Sequence, residues 1–462
     1  MPELPEVETI KTILNPIVKG KTIKAIRVFR AKSVLSGADE LVKSLTGETF
    51  LSVSRMGKFL IFHFTHDKVV VSHLRMEGKY FEGMTNEPVD KHDVLIYDFT
   101  DGSNLRFNDV RKFGIIILSN EKEYLTKTPL AELGKEPWDL TKEELYEGLK
   151  KKRSEPIKEA LLDQTLIAGL GNIYDDEVLF ATMINPKMMA SEVTLEQCAA
   201  IKKEAERILR EAIKNGGSTI RSYHPKEGVS GDMQNHLLAY GQGNKPCSRC
   251  GYPLRKISIG GRGTVYCPRC QHIEGEPLIV GVTGPIASGK STVTAYLEKK
   301  GYEKIDADEI VRELYEKGAL NEMLVNAFGP AVLKDNQIDR EALTELAKKP
   351  AERKMLESIV HPAVYKEIEE RISQSKKEKI VLDIPLLIGG PLEEKCDLII
   401  AVFADPKTQM ARLEERGKNP ADALAVNKGW PRGAAKKKAA LVLDGNGSVD
   451  QLKKQLDKAS YL

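Results

Sequence analysis

Cys247-Ser248-Arg249-Cys250 and Cys267-Pro268-Arg269-Cys270, sixteen residues apart, decide how this chain is read. Two CxxC knuckles at that spacing supply two pairs of thiolates that a hairpin folds around one tetrahedral ion, the zinc ribbon pattern. Four thiolates leave no open coordination position, so the zinc expected at Cys247, Cys250, Cys267 and Cys270 is structural. Shortly afterwards, Gly284-Pro285-Ile286-Ala287-Ser288-Gly289-Lys290-Ser291 matches the GxxxxGK[ST] phosphate-binding loop. The ribbon is therefore the seam between two unrelated chemistries.

On the N-terminal side, residues 20–118 are rich in strand signals. Lys58–Phe64, Val69–His73, Val94–Phe99 and Gly114–Leu118, separated by Gly, Asn and Asp turns, predict a β-sandwich or barrel. From Thr141 the texture turns helical, with helices expected over Thr141–Lys152, Pro156–Gln164, Asn172–Thr182 and Thr194–Asn215. The last opens on the capping-box pattern Thr194-Leu195-Glu196-Gln197 and stops at Gly216-Gly217. Beyond Pro277, strands at Leu278–Thr283, Gly301–Asp306, Ile380–Pro385 and Leu398–Phe403 alternate with helices, which means an α/β parallel sheet. A chain of 462 residues exceeds one ordinary core, and the expected domains are 1–135, 136–240, 241–272 and 277–462. The joint His272–Pro277 is too short to carry the last domain away from the ribbon, so the two should pack side by side.

A net charge of +3 means that any affinity for nucleic acid must come from local basic patches. No apolar run approaches a membrane span, and the acidic start Met1-Pro2-Glu3-Leu4-Pro5-Glu6 lacks the regions of a signal peptide. Cys198 and Cys396 stand apart from the ribbon, and nothing suggests a disulfide framework. A reducing, cytoplasmic location and a monomer are expected.

Removal of Met1 would leave Pro2 with a secondary amine that titrates near neutrality and can attack an aldehyde-like carbon. Alone, Pro2 is as well explained as a helix starter, with Glu3 and Glu6 at the positive end. Further along come Arg55-Met56-Gly57-Lys58, His73-Leu74-Arg75-Met76, Lys91-His92-Asp93, Asp109-Val110-Arg111-Lys112-Phe113-Gly114, Gly169-Leu170-Gly171-Asn172 and the ribbon. In that order, over residues 1 to about 272, these resemble formamidopyrimidine-DNA glycosylase. Endonuclease VIII shares the architecture but has Gly where this chain has Leu4. The resemblance implies a β-sandwich, a helix-two-turn-helix domain and the ribbon, acting on double-stranded DNA that contains oxidised purines. It further implies that Pro2 attacks the sugar C1′, Glu3 transfers protons, and β- and δ-elimination follow with Lys58 assisting. Met76, Arg111 and Phe113 match the trio that fills the space of a flipped base. His73, His92, Arg153, Lys158 and Asn172 match or adjoin DNA-contacting positions, and Arg262 matches a hairpin arginine that reaches phosphate. Gly217–Gly241 resembles a loop that closes over the flipped base.

Downstream, the strand before the phosphate loop and the helix after it are the context a nucleotide site requires. Gly284, Ala287, Ser288, Gly289, Lys290, Ser291 and Thr292 would cradle ATP, with Ser291 able to bind Mg2+. Together with Ile305-Asp306-Ala307-Asp308, His361-Pro362, Asp383-Ile384-Pro385 and Asp444-Gly445-Asn446-Gly447, the loop resembles dephospho-CoA kinase over residues 277–462. That implies a ribose 3′-hydroxyl acceptor on dephospho-CoA, Asp306 as base, Asp308 beside it, and Arg412 and Arg416 as lid cations. Pro285 and Ala287 stand where that family usually has Gly, and Ala287 is strained if its φ is positive. Trp430-Pro431-Arg432-Gly433 and Ala440-Leu441 also depart from the lid pattern. The residues leave open a lesion-binding module without catalysis, an inactive or different P-loop kinase, and two reading frames joined without coupling.

Overall fold

A computed structural model describes residues 2–218, 232–335, 337–417, 427 and 430–462. Met1 and most of the loop expected at Gly217–Gly241 lie outside the described residues, as does much of the stretch Gly417–Ala440. The chain forms two compact units, Met1–Gln242 with Ser258–Tyr266, and Gly243–Ile257 with Cys267–Leu462.

In the first unit, helix Leu4–Val18 opens the fold. Glu3 and Glu6 close a capping box at its start, and Leu4, Val7, Ile10, Leu14 and Val18 form its buried stripe. Two four-stranded antiparallel sheets make the expected sandwich. One runs Ile23–Val28, Asp93–Phe99, Ser103–Asn108, Lys79–Met84; the other runs Phe50–Met56, Phe59–Phe64, Lys68–His73, Ile115–Asn120. Phe50 packs edge-on against Phe62 of its own sheet at 5.9 Å and against Phe99 of the other at 5.7 Å, which places the core between the sheets. The final strand begins at Ile115 rather than Gly114, because the amides of Phe113 and Gly114 donate to Asp109 instead of to a ladder.

Helices Lys142–Lys151, Ile157–Leu162, Asn172–Thr182 and Leu195–Lys214 follow. The Thr194–Gln197 capping box forms as expected: Thr194 Oγ1 accepts from the Gln197 amide at 3.2 Å and Gln197 Oε1 from the Thr194 amide at 2.8 Å. Leu4 is buried within this helical core, so the first turn of the chain locks sandwich and helices together.

The second unit is built on a five-stranded parallel sheet in the order Glu303–Asp306, Lys379–Asp383, Leu278–Thr283, Leu398–Phe403, Leu441–Asp444. The expected strand at Ile380–Pro385 ends at Asp383, and Leu441–Asp444 is a fifth strand that local pattern does not announce. The ribbon knuckles share this unit with the α/β domain, whereas the hairpin residues Ser258–Tyr266 belong to the first unit, so the ribbon expected as one domain is divided between the two. The phosphate-loop strand meets its neighbours closely at Gly281, where an added Cβ would stand 2.4 Å from Leu387 Cδ2 and 2.7 Å from Cys396 Sγ. Gly281→Ala is expected to cost about 1–3 kcal/mol by overpacking, read as a lower thermal transition of the second unit with the first unchanged.

Candidate active sites and zinc centre

Glu3 is buried, 2 % exposed, and its carboxylate sits on the N-terminus of helix Asn172–Thr182. It accepts from the amides of Gly171 at 2.8 Å, Ile173 at 2.8 Å and Tyr174 at 3.3 Å. These are orphan donors of a helix start, and the helix dipole favours the negative charge. Burial nonetheless raises the proton affinity of Glu3 above the ordinary carboxylate range, against the opposing pull of Lys58. The motif Gly169-Leu170-Gly171 exists because side chains arrive there. A Cβ on Gly169 would meet Leu4 Cδ1 at 2.4 Å, and one on Gly171 would meet Glu3 Cδ at 2.3 Å.

Lys58 reaches the same spot, donating to the Leu170 carbonyl at 2.6 Å. Burial lowers its pKa, with Glu3, Glu6 and Asp175 pulling the other way. A desolvated lysine with a reduced pKa is suited to proton transfer. Glu6, absent from the sequence-derived site, fixes the surroundings: it accepts from the Tyr174 hydroxyl at 2.6 Å and the Ser218 amide at 2.7 Å. Its signal was its place in the first turn beside Glu3, three residues on.

Arg262 lies exposed at the start of hairpin strand Arg262–Tyr266, pinned where Asn172 Nδ2 donates to Gly263 O at 2.8 Å and the Val265 amide to Asp176 at 2.9 Å. Met76 and Phe113 are large apolar side chains left 45 % and 58 % exposed. Arg111 joins them, Nη1 lying 2.8 Å from Met76 Sδ and the guanidinium 5.9 Å from the Phe113 ring. Two projecting apolar groups around a cation make a wedge rather than a core. His73 accepts the Arg75 amide on Nδ1 at 2.9 Å, which leaves Nε2–H as donor. Burial, Arg75 and Lys58 push its pKa down to about 3, so it serves as a neutral donor. His92 is half-buried, its Nδ1 without a hydrogen-bond partner among the described residues, and Arg153 is exposed.

Lys158 requires a correction. Expected to face DNA, it is fully buried, 2.6 Å from Asp176 Oδ1 and 3.3 Å from Asp175 Oδ2. A phosphate could reach it only by breaking a buried ion cluster. Burial pushes Asp175 up to about 7 and Asp176 up to about 6 even so. Sequence reasoning missed both acids, although they stand side by side in the helix that caps Glu3.

In the second unit, Gly289 caps helix Lys290–Lys299 without a side chain, which leaves the Lys290 and Ser291 amides for an anion, while the Thr292 amide donates to the Gly289 carbonyl at 3.1 Å. Ala287 does adopt a left-handed φ of 62°, the strain foreseen. Its carbonyl accepts from Arg412 Nη1 at 3.1 Å, and Arg412 Nη2 donates to Gly445 O at 2.6 Å and Gly447 O at 3.1 Å. Arg412 was expected to face the transferring phosphoryl group; it instead ties the phosphate loop to Asp444-Gly445-Asn446-Gly447. Arg416 is exposed, as are Ser291 and Asp308, and Thr292 is half-buried. Ser288 Oγ is buried with no hydrogen-bond partner among the described residues. Asp306 caps helix Ala307–Glu316 through the Asp308 and Glu309 amides, with Lys304 at 3.2 Å. Asp383, opposite Asp306 in the sheet, joins Asp306 and Asp308 in the field around Lys290, whose pKa burial lowers. Burial pushes Asp383 up to about 6. Asn427 also escaped notice, yet it brackets the loop by accepting the Ile286 amide at 2.9 Å. A cavity of about 270 Å³ opens here, lined by Pro285, Asp308, His361, Tyr365 and Trp430 among others.

The four cysteine sulfurs lie within 4.8 Å of one another, with Cys247–Cys270 at 3.9 Å and Cys250–Cys267 at 3.5 Å. Tetrahedral zinc at about 2.3 Å from each sulfur requires sulfurs about 3.8 Å apart, so the donor set fits. The Arg249 amide points at Cys247 Sγ and the Cys270 amide at Cys267 Sγ, each at 3.4 Å, an arrangement that supports thiolates.

Family models match this order of sites. The formamidopyrimidine-DNA glycosylase N-terminal domain covers residues 1–116, its H2TH domain 133–224, and a zinc finger found in FPG and IleRS 244–273. The formamidopyrimidine-DNA glycosylase of Bacillus licheniformis is 47% identical over 275 residues, 59% of this chain and 99% of the relative. The chain belongs to the formamidopyrimidine-DNA glycosylase family. The Exiguobacterium sp. protein is likewise 47% identical over 276 residues, with 99% of it covered. Lactococcus lactis FPG crystallised with a FAPY-dG containing DNA is 40% identical, with a TM-score of 0.55, covering 59% of this chain and all of that one. Residues 278–451 match the dephospho-CoA kinase family model, so this glycosylase-family chain carries a kinase domain as well. No helix among the described residues is long and apolar enough to cross a membrane.

Gly171→Ala should displace the Glu3 carboxylate and lower base excision at least about a hundredfold, the scale of a lost acid–base group, while affinity for lesion DNA falls far less; single-turnover excision and a binding titration separate the two. Asp383 gives a pH signature. Its raised folded pKa means that its protonation stabilises the fold below about 4, an effect lost as pH rises through about 6. Asp383→Asn should therefore raise the melting temperature more at pH 7.5 than at pH 5, by a free-energy difference on the order of 1 kcal/mol.

Proposed function

We propose that the first unit excises oxidised purines such as formamidopyrimidine and 8-oxoguanine from DNA and cleaves the strand, and that the second phosphorylates the ribose 3′-hydroxyl of dephospho-CoA. The observation that carries the first reading is Glu3, buried on a helix start beside Pro2 and facing Lys58. Pro2, freed of Met1, adds its amine to the sugar C1′ as the damaged base leaves with the proton that Glu3 delivers. The Schiff base then makes the C2′ proton acidic, and Lys58 and Glu3 serve the eliminations that expel the 3′ and 5′ phosphates. Met76, Arg111 and Phe113 fill the vacated stack, and Arg262, His73, His92, Arg153 and Asn172 hold phosphates.

In the kinase, the open amides at Gly289–Lys290 and the Lys290 ammonium receive the ATP phosphates, and Asp306 takes the acceptor's hydroxyl proton. Mg2+ would be held by Ser291 and Asp383 and would neutralise charge on the phosphates. The cavity under Trp430 takes the acceptor. The DNA glycosylases to which the first unit is similar support a cytoplasmic location. Domain limits of 1–135, 136–240, 241–272 and 277–462 are proposed as functional boundaries, although by contacts the knuckles group with the second unit and Ser258–Tyr266 with the first.

Borohydride should trap a covalent complex between the full chain and lesion DNA, and Pro2→Gly or retention of Met1 should remove it. Absence of the adduct from protein with a free Pro2 amine would overturn the glycosylase assignment. With ATP and Mg2+, ADP release should be strongest with dephospho-CoA and should fall at least about a thousandfold in Lys290→Ala; a preference for nucleoside monophosphates or shikimate would overturn the kinase assignment.

A further inference from the structure

The ribbon knuckles are fastened to the kinase by contacts that neither chemistry explains. Arg255, only 5 % exposed, donates from Nε to the Cys396 carbonyl at 2.9 Å and from Nη2 to the Glu393 carbonyl at 2.8 Å. Asn244 donates from Nδ2 to the Lys437 carbonyl at 3.2 Å. Tyr252, between the knuckles, sets its ring edge against Tyr461 at 5.6 Å. A guanidinium is withdrawn from water only where its donors are met, so the Arg255 contact is a built joint.

The segments gripped in this way lead to the kinase site. Cys396 packs under Gly281, in the strand that carries the phosphate loop. Lys437 lies in the last turn of helix Arg432–Lys438, which starts just after Trp430. Trp430 donates from Nε1 to the Pro385 carbonyl at 2.8 Å and lines the acceptor cavity. Lys438 pairs with Glu393 at 2.8 Å and so closes a ring between the two gripped segments. The ribbon thus holds the floor beneath the phosphate loop and the helix beside the cavity at once.

From this geometry we propose that the ribbon has a second role, as a brace for the kinase acceptor site. The zinc-bound knuckles fix Arg255 and Asn244, these fix residues 393–396 and helix Arg432–Lys438, and acceptor affinity therefore depends on a metal that takes no part in phosphoryl transfer. The affinity component of the proposal rests on the dephospho-CoA kinase reading; the bracing component does not.

The test uses the full-length, zinc-loaded chain with two readouts: amide hydrogen exchange over residues 391–397 and 432–438, and kinase kinetics with dephospho-CoA at saturating ATP and Mg2+. Asn244→Ala, Arg255→Ala and zinc removal by a chelator, with Mg2+ restored, should each speed exchange in both segments. Each should also raise KM for dephospho-CoA about fivefold or more with kcat changed less than twofold, and added zinc should reverse the chelator's effect. If Arg255→Ala unfolds the unit, Asn244→Ala and zinc removal decide. Exchange that rises in the ribbon alone, with both kinase segments unmoved, overturns the brace. Exchange that responds in a zinc-loaded protein unable to phosphorylate dephospho-CoA overturns the kinase reading and keeps the brace.

Discussion

The glycosylase unit depends on one buried carboxylate. Glu3 satisfies three amides at the start of helix Asn172–Thr182, and this bond network joins the first turn of the chain to the helical core. Without it, three donors would be orphaned, the two buried ones at Gly171 and Tyr174 at about 1–3 kcal/mol each. Leu4 beside it fills the helical core, which forces glycine at position 169. Stability and chemistry therefore draw on the same few atoms: the desolvation that makes Glu3 and Lys58 useful also makes their positions hard to change.

The two units use helix starts in opposite ways. At Asn172 the helix start is filled by a carboxylate of the protein itself, which is held and tuned by it. At Lys290 the helix start has no side-chain cap, and its neighbours crowd in only as far as glycine allows, with Gly284 against the Val402 carbonyl. The same partial positive charge holds a resident acid in one case and is kept free for a visiting phosphate in the other.

Much of this was legible because the signals are local. The helix Asn172–Thr182, the strands Leu278–Thr283 and Leu398–Phe403, and the cap at Thr194 all fall where pattern places them. The strand Ser103–Asn108 was not legible, because all six residues are buried and half of them are Asn or Arg. Arg106 tolerates this by donating to the Pro88 carbonyl at 2.8 Å, and Asn108 by donating to Asp93 at 3.0 Å, partners that no window of sequence reveals. Lys158 and Arg412 misled for the same reason. A cation reads as solvent-facing until the distant carboxylates or carbonyls that surround it are known.

Arg412 has a consequence for how the protein comes into being. The phosphate loop is braced by a residue 125 positions later, through a contact with the Ala287 carbonyl, and by a turn at Gly445 that lies against Ser288. Glu3 likewise waits for Gly171, 168 positions on. During synthesis from the N-terminus, each site exists only in part until a much later segment has left the ribosome. The Glu3 site can complete itself while the kinase is still being made, whereas the strained Ala287 loop gains its support only when almost the whole chain has been released.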